Sequence, residues 1–494
     1  MNNRTKLVFT LTALFCALPG CVTYTEALAL GKGTPETAAN EASEAQEQAG
    51  RGAPYVYLKA AQPVAGADFG QAVRLSGDGN TLVVSAPEAN AAAGEVYVMR
   101  RVQNAWVQEA VLKAGNGEAG DHFGDAIAVS ADGNTVVVGA PNESSSGGLS
   151  YPAPSDNRAW ASGAAYVYAR VGATWAQLTY LKPAVPQERE RFGTAVAISP
   201  NGLSLAVSAP CRNADKWHVS CSDRPKNVGV VDVLHRSTTS SPQWESWGHS
   251  AEFLLSAGVA ERNDMLSFSA DGRVLAVAES SSNRRELSFT KDGYTKSCLH
   301  RGRVSLYELD KAYSDNIPLM GFASPRDTDA CGEFGAAISL SGDGRKLAVL
   351  ETSPETRSKA GGRLHTFRRP DTRWAEDATL EVPVDATAPD RSYSAMTMSQ
   401  DGTTLAIGDL RWTHNLGGNV LSYTHGGAGW VQGRNFHLSA PEQDDYFGLS
   451  LSLSNDGKSL AIGAPGEDGA IGGIDGDERN DKAENSGAAY VWKL

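Results

Sequence analysis

The feature that most restricts the fold of this chain is a unit that recurs seven times between residue 69 and the C-terminus. A well-preserved copy, from Phe123 to Pro141, reads FGDAIAVSADGNTVVVGAP. Every copy keeps a Ser-x-x-Gly tetrapeptide between two apolar runs. The seven tetrapeptides begin at Ser76, Ser130, Ser199, Ser269, Ser341, Ser399 and Ser454. Such internal self-similarity is typical of proteins built from stacked or circular repeats.

Each unit predicts two β-hairpins. The apolar runs alternate with small residues, and the Asp-Gly or Asn-Gly pair between them is a strong hairpin signal. A loop of variable length follows, then a strand that opens with Gly and a strand that opens with Trp. Four antiparallel strands in each of seven units predict an all-β fold, a seven-bladed β-propeller.

The two ends of the repeat region predict how the ring closes. The last copy stops at SGAAYVWKL, residues 486–494, three strands into its unit. The missing fourth strand occurs at the other end as YVYLKA, where Leu58 precedes Phe69 by the same eleven residues that separate Leu112 from Phe123. We therefore predict that the N-terminal strand joins the C-terminal blade, which removes an exposed sheet edge.

Residues 1–20 have the composition of an export signal, with a basic start and an apolar run too short to span a bilayer. The LPGC that ends at Cys21 resembles the bacterial lipobox, which implies cleavage before this cysteine and lipidation of its thiol. Pro19 is unusual inside that motif, and the alternative is plain cleavage and release of a soluble protein. By resemblance to Gram-negative lipoprotein sorting, Val22 after the cysteine implies the outer membrane.

Residues 21–53 are rich in Ala, Glu, Thr, Gly and Gln, which predicts a flexible tether and leaves 54–494 for the propeller. The formal net charge of the whole chain is −13. This charge excludes nucleic-acid binding through bulk electrostatics, and we expect contact with a membrane only through the lipid anchor.

The ordered motifs Phe-Gly, Asp-Gly, Gly-Ala-Pro and Gly-Ala-Ala-Tyr-Val-Tyr resemble the FG-GAP repeat, known from integrin α-chain propellers and many bacterial surface proteins. The resemblance covers residues 69–494 and implies the same propeller fold. Integrin-type repeats often carry a calcium loop of the form D-x-D/N-x-D-G-x-x-D, where this chain has only SGDGNT, SADGNT or SNDGKS. Calcium takes six to eight oxygens, so we predict that these turns are structural. Sialidase Asp-boxes and TolB-like repeats share part of the pattern, but the flanking Phe-Gly and Ala-Pro favour FG-GAP.

Four of the loops that follow the second strand are long, and such loops on a rigid scaffold often carry function. The loops of units three and four combine basic and aromatic residues on an acidic protein, which predicts an anionic ligand such as an acidic glycan or an acidic protein surface. The alternative is an ordinary solvated loop. The candidate ligand-binding residues are Trp160, Trp217, His218, Arg284, Arg285, Tyr294 and Arg301.

The loop of unit seven is acidic, and its sequence is GEDGAIGGIDGDERNDKAENS. Its candidate ligands for a Ca²⁺ ion are Asp475, Asp477, Asn480 and Asp481. Their spacing is not that of an EF-hand. The alternative is a flexible acidic loop without a cofactor.

C-terminal to the predicted lipidation site Cys21, the chain has four more cysteines, and no C-x-x-C occurs among them. Because an exported compartment permits disulfides, we predict the pairs Cys211–Cys221 and Cys298–Cys331. Their expected role is to staple loops on the face that carries the candidate ligand-binding residues.

The sequence has no H-E-x-x-H, G-x-S-x-G or P-loop motif. Propellers can still assemble a catalytic site from several blades, so three functions stay open. The preferred hypothesis is a non-enzymatic, lipid-anchored propeller whose loop face binds a protein or glycan at the cell envelope. The others are a hydrolase or lyase acting on envelope polysaccharide, and a structural role in outer-membrane assembly. Carboxylates or histidines converging near the central channel on the loop face would favour the enzyme.

Overall fold

The alternating apolar runs form β-strands, which group by four into seven antiparallel sheets, blades 1–7 in chain order of their first strand. Regular helix in the described part of the chain is limited to two short turns, Ala89–Ala92 and Asn263–Met265. In the part of the chain that the structure describes, no helix is long and apolar enough to cross a membrane. The computed structural model describes residues 55–147, 156–183, 185–211, 229–238, 244–246, 263–279, 285–290, 293–298, 302–309, 319–324, 333–352, 362–371, 373–382, 391–411, 417–427, 429–438, 442, 444–476 and 480–494.

The strands follow one another through the blades in chain order, from the innermost strand to the outermost. The N-terminal strand is β1 (Tyr55–Leu58). Blade 1 contains β2 (Val73–Leu75), β3 (Thr81–Ala86), β4 (Glu95–Val102) and β5 (Ala105–Leu112). Blade 2 contains β6 (Ala126–Val129), β7 (Thr135–Ala140), β8 (Ala164–Val171) and β9 (Thr174–Leu181). Blade 3 contains β10 (Val196–Ile198), β11 (Ser204–Ala209), β12 (Val230–His235) and β13 (Glu245–Ser246).

Blade 4 differs from the others because an extra hairpin interrupts it. Its own strands are β14 (Leu266–Phe268), β15 (Val274–Glu279), β18 (Arg303–Glu308) and β19 (Leu319–Ala323). The inserted hairpin consists of β16 (Arg285–Thr290) and β17 (Gly293–Cys298). The long loop predicted for this unit therefore contains two strands that form a sheet of their own.

The last three blades return to the four-stranded pattern. Blade 5 contains β20 (Glu333–Leu340), β21 (Lys346–Thr352), β22 (Gly362–Arg368) and β23 (Ala375–Val382). Blade 6 contains β24 (Arg391–Met398), β25 (Thr404–Arg411), β26 (Asn419–Gly426) and β27 (Gly429–Phe436). Blade 7 contains β28 (Ser450–Leu453), β29 (Ser459–Ala464) and β30 (Ala488–Lys493), with β1 as its fourth strand.

The N-terminal strand completes the last blade, as the sequence predicts. β1 pairs antiparallel with β30 over its whole length. The loop after β29 then returns along the outer edge of β1, where Lys59 N donates to Gly473 O at 2.9 Å and Asp475 N donates to Tyr57 O at 2.9 Å. The outer edge of β1 has no further strand beside it after the ring closes. It is covered instead by this short stretch of the blade-7 loop.

The Ser-x-x-Gly turns share one hydrogen-bond pattern. In the first, Ser76 Oγ donates to Asp78 Oδ1 at 2.5 Å and accepts from Thr81 N at 2.9 Å. Asp78 Oδ1 also accepts from Asn80 N at 3.0 Å. Because these oxygens are bonded within the turn, the prediction that the turns are structural agrees with the geometry.

Main-chain bonds also link neighbouring turns around the ring. Gly77 N donates to Ala131 O, and Ala131 N donates to Pro200 O, both at 2.9 Å. Similar bonds run from blade 4 through blade 7 and return to Gly77. Pro200 has no N–H to donate. Between blades 3 and 4 the side-chain amide of Asn201 donates instead, from Nδ2 to Asp271 O at 2.9 Å.

The Phe-Gly pairs lie where neighbouring blades meet. Phe192 is buried and bridges in parallel to Gly163, the residue just before the third strand of the preceding blade. A Cβ on Gly163 would lie 2.1 Å from Phe192 O, and the φ of this glycine is +79°. The close approach of the two main chains, together with the left-handed conformation, explains why this strand opens with glycine.

Candidate functional site

The residue immediately before the Phe-Gly pair has a left-handed conformation in four blades. We refer to these residues as the rim: Tyr446, Asp68, His122 and Arg191, which precede blades 7, 1, 2 and 3. Their φ angles lie between 53° and 57°. This conformation costs a non-glycine residue about 1–2 kcal/mol, so the four positions store strain on the loop face.

His122 lies beside two carboxylates. Its Nδ1 is 3.3 Å from Glu88 Oε1 and 3.7 Å from Asp125 Oδ1. The nearby carboxylate of Asp125 raises the pKa of His122, and the negative charge of Glu88 adds to this effect. The two carboxylates therefore orient the imidazole through one nitrogen and favour its charged form.

The pKa values of two other rim residues, Asp68 and Tyr446, are also shifted. Burial raises the pKa of Asp68 to about 6, and the negative charge of Glu88 contributes. Burial likewise raises the pKa of Tyr446, with contributions from Asp444 and Asp68. A carboxyl group with a raised pKa and an oriented histidine are groups that acid–base sites often contain.

Trp160, predicted as a ligand-binding residue, lies on the surface of the blade-2 loop with 57% of its area exposed. The guanidinium carbon of Arg189, in the next loop, lies 4.5 Å from the centre of the tryptophan ring, and Arg189 N donates to Trp160 O at 2.7 Å. Arg158 and Arg191 are exposed on the same two loops. We refer to Trp160, Arg158, Arg189 and Arg191 as the arginine–tryptophan patch.

Most other predicted ligand-binding residues fall outside the described ranges. These are Trp217, His218, Arg284 and Arg301. The inserted hairpin contains the remaining two, with Arg285 opposite Cys298 and Tyr294 opposite Phe289. Ligand binding by these six residues stays a prediction.

The predicted cysteine sites also lie partly outside the described residues. Cys211 is buried just after β11, and Cys298 is the last residue of β17. Cys221 and Cys331 lie outside the described residues, as does the predicted lipidation site Cys21. Both disulfide pairs and the lipid anchor stay predictions.

The acidic loop of blade 7 has a structural role at Asp475, whose Oδ1 accepts a hydrogen bond from Tyr57 N at 3.3 Å. Asp477 lies outside the described residues, whereas Asn480 and Asp481 fall inside them. Among the residues that the structure describes, no group of three or more His, Cys, Asp or Glu side chains could hold a metal ion. Calcium binding stays a prediction.

A buried ion pair anchors the long loop of blade 2. Lys182 Nζ lies 2.7 Å from Glu143 Oε2, and Tyr180 OH donates to the same oxygen at 3.0 Å. Asp121 lies close by, and burial raises its pKa to about 6, with the negative charge of Glu143 contributing. We refer to these residues as the blade-2 cluster.

An equivalent arrangement occurs in blade 7, where the lysine belongs to the N-terminal segment. Lys59 forms a buried ion pair with Glu467, whose carboxylate also accepts a hydrogen bond from Tyr57 OH at 2.8 Å. Asp445 has the place of Asp121, and burial raises its pKa to about 7. We refer to these residues as the blade-7 cluster. Neither cluster was predicted from the sequence, although each contains Tyr-Leu-Lys at the end of its fourth strand.

The first strands of all seven blades line a central cavity of about 220 Å³. Arg74 Nη2 donates to Asp264 Oδ1 at 2.6 Å across this cavity, which joins blades 1 and 4. The hydroxyl oxygens of Ser267 and Ser452 accept main-chain N–H groups of the next blade at 2.9 Å. These polar groups brace the channel and connect the first strands of different blades.

Blade 5 contains a buried histidine between two carboxylates. His365 Nε2 is 2.7 Å from Glu351 Oε2, and its Nδ1 is 2.8 Å from Glu376 Oε1. Burial opposes a charge on the ring, yet the hydrogen bonds to both carboxylates outweigh it and raise the pKa of His365. At 1% exposure the ring is part of the blade interior, which indicates a structural role.

No curated protein matches the sequence. Among solved structures, the β-propeller domain of Myceliophteria thermophila Cps50 (Swd1) is similar, with 10% identity over 89% of this chain and 98% of that one and a TM-score of 0.47. The FG-GAP repeat family matches residues 106–168 and 430–492. Each matched stretch begins at the opening of a fourth strand and ends in the third strand of the next blade. With its seven four-stranded sheets, this chain is a seven-bladed β-propeller, and two stretches of it match the FG-GAP repeat.

Proposed function

We propose that this protein is a non-enzymatic lipoprotein of the cell envelope that binds an acidic glycan through the loop face of its propeller. The observation that carries the proposal is the arginine–tryptophan patch. An exposed indole face stacks on sugar rings, and a guanidinium group pairs with carboxylates through two parallel hydrogen bonds. The patch supplies both groups on a protein whose net charge is −13.

The main chain at Arg189 supports a role beyond folding. Its φ is 63°, and the equivalent positions before blades 1 and 2 are Gly66 and Gly120, with φ of 68° and 87°. An arginine at a position that suits glycine costs stability, and such strain is often kept where a side chain serves a function. The strained residue is the one that stacks on Trp160.

The envelope location rests on the sequence of residues 1–21. Replacing Cys21 with Ala should abolish incorporation of a radiolabelled fatty acid and move the protein from the membrane fraction to the soluble fraction. Unchanged fractionation would argue against the lipid anchor while leaving the binding proposal intact.

Binding is tested with a hexameric oligogalacturonate as the acidic glycan and maltohexaose as its neutral counterpart, by calorimetric titration. We expect the oligogalacturonate alone to bind. Arg189→Gly should weaken binding about tenfold or more, because a hydrogen bond to a charged group contributes about 1.5–3 kcal/mol. Glycine suits the main chain at this position, so the variant should fold.

Asp444→Gly is the matched control, since Asp444 occupies the equivalent position before blade 7 with a φ of 71°. It should bind like the unmodified protein. Equal weakening in both variants would remove the patch from the site. If poly-glutamate binds and both oligosaccharides fail, the ligand is an acidic protein surface.

The rim favours a second candidate function, an acid–base enzyme acting on envelope polysaccharide. His122 is oriented by two carboxylates, and Asp68 titrates near 6, which are the groups that hydrolysis or elimination requires. The test is release of reducing ends or unsaturated uronates from extracted envelope polysaccharide. Turnover that His122→Gln and Asp68→Asn abolish would establish the enzyme, and absence of turnover would leave the binding proposal.

A further inference from the structure

The attachment of β1 to blade 7 depends on non-covalent contacts. The strand pairs with β30 on one side and with the stretch around Gly473 on the other. Immediately after the strand, Lys59 is buried against Glu467, and the side chains of the two residues are 0% and 5% exposed. This ion pair lies where the two ends of the described chain meet, so the charge balance around it bears directly on closure.

The blade-7 cluster places one lysine among several acids. The electrostatic partners of Lys59 are Glu467, Asp468 and Asp445. They come from two loops, the one before blade 7 and the one after β29. Further ionisable groups surround these residues on the same loops and on β1: Tyr57, Glu442, Asp444, Tyr446 and Asp481.

We propose that the blade-7 cluster is a pH-sensitive latch that holds β1 most tightly in acidic solution and loosens it progressively as the pH rises towards neutrality. Asp445 is the group that switches. It is 3% exposed, and its Oδ2 accepts a hydrogen bond from Glu442 N at 2.7 Å. Its ionisation adds a buried negative charge next to Glu467, whose charge Lys59 already balances.

The direction of the pH effect on opening follows from the pKa of Asp445 in the closed and the open blade. Burial raises its pKa to about 7 in the closed blade, with the charges of Glu467 and Glu442 contributing, whereas water restores the ordinary value of 3.8 when the blade opens. Between these two values the closed form binds more protons than the open form. Raising the pH within this interval therefore favours opening, and the effect levels off above about pH 7. From pH 6 to pH 8 the equilibrium constant for opening should rise about tenfold.

The blade-2 cluster is an internal control. Its lysine follows β9, which a short hairpin connects to β8, so loosening there would release no chain end. The pKa of Asp121 is about 6 rather than about 7. Over the same interval of pH the opening equilibrium at β9 should change only about twofold.

The experiment is amide hydrogen exchange of the full-length protein at pH 6 and pH 8, read by mass spectrometry and corrected for the intrinsic exchange rate at each pH. Protection of peptides covering β1 should fall about tenfold between the two conditions. Peptides covering β9 should change about twofold.

Two variants complete the test. Asp445→Asn keeps the acceptor for Glu442 N and removes the titration, so it should abolish the pH response of β1. Asp121→Asn should leave that response unchanged. The latch is refuted if β1 of the unmodified protein shows no pH response, if β1 and β9 respond equally, or if Asp445→Asn keeps the tenfold change. Hydrogen exchange of β1 and β9 in the unmodified protein at the two pH values tests the latch even if a variant fails to fold.

Discussion

Replacing Lys59 with Met should destabilise the protein more than replacing Lys182 with Met, although the two lysines form equivalent ion pairs. Methionine retains much of the apolar chain of lysine and removes its charge. Each variant then leaves a buried carboxylate, Glu467 or Glu143, without its counter-ion. Removing one partner of a buried pair costs about 3–5 kcal/mol of unfolding free energy.

The difference between the variants follows from the hydrogen-bond donors that each carboxylate keeps among the described residues. Glu467 keeps Tyr57 OH and Gly469 N. Glu143 keeps Tyr180 OH, Asn116 Nδ2, Ser145 N and Ser145 Oγ. A hydrogen bond to a charged group stabilises it by about 1.5–3 kcal/mol, so two extra donors protect the carboxylate in blade 2. We expect about 5 kcal/mol for Lys59→Met and about 3 kcal/mol for Lys182→Met.

Guanidinium-induced unfolding followed by tryptophan fluorescence compares the two variants at a fixed pH near 6. Adding Glu467→Gln to Lys59→Met serves as a control, because it removes the unpaired charge and should recover most of the lost stability. Equal losses in the two lysine variants, or a larger loss for Lys182→Met, would refute the argument from remaining donors. A double variant as unstable as Lys59→Met alone would show that packing, not charge, controls the site.

Two further predictions concern the blades themselves. The Gly163→Ala variant should melt at a lower temperature than the Gly172→Ala variant. Both glycines have positive φ, but only a Cβ at 163 would clash with Phe192 O, because nothing lies within 4 Å of a Cβ at 172. Equal melting temperatures would contradict this reasoning. The raised pKa of His365 stabilises the fold below its unfolded value of 6.5, and this contribution is lost as the pH rises through the folded value. The stability difference between the unmodified protein and His365→Gln should therefore shrink from about pH 6 to about pH 8, as urea unfolding would measure, and a constant difference would argue against a charged imidazole.

Sequence patterns predicted most of the fold because its signals are local. Period-two alternation and the Asp-Gly turns define each hairpin without reference to the rest of the chain. The unpaired strand at each end then leaves one way to close the ring. The inserted hairpin β16–β17 and the stretch around Gly473 were not predicted, because their pairing depends on where the loops lie in three dimensions.

The candidate site was predicted in part. The exposure of Trp160 agrees with its assignment to a loop, but its stacking on Arg189 joins two loops separated by a whole hairpin. The rim was missed because its four members share a position and a conformation, not a residue type. Their interactions arise from the curvature of the ring, which brings the loops of neighbouring blades together. The two clusters left a signal that a direct comparison of units two and seven would have found.

The seven blades are not equivalent, and the difference bears on where a ligand binds. Blades 1, 2, 3 and 7 end their second strand in Ala-Pro, whereas blades 4, 5 and 6 have Glu279, Glu351 and Asp409 at the alanine position. These three acids are buried, and the first two are bonded to side chains on the next strand, Glu279 to Arg303 at 2.8 Å. The Ala-Pro blades are the ones that carry the rim. Within that half, Asp68 and Glu88 make the loops of blade 1 acidic, and Asp444 does the same before blade 7, so repulsion there would confine the proposed anionic ligand to the arginine side over blades 2 and 3.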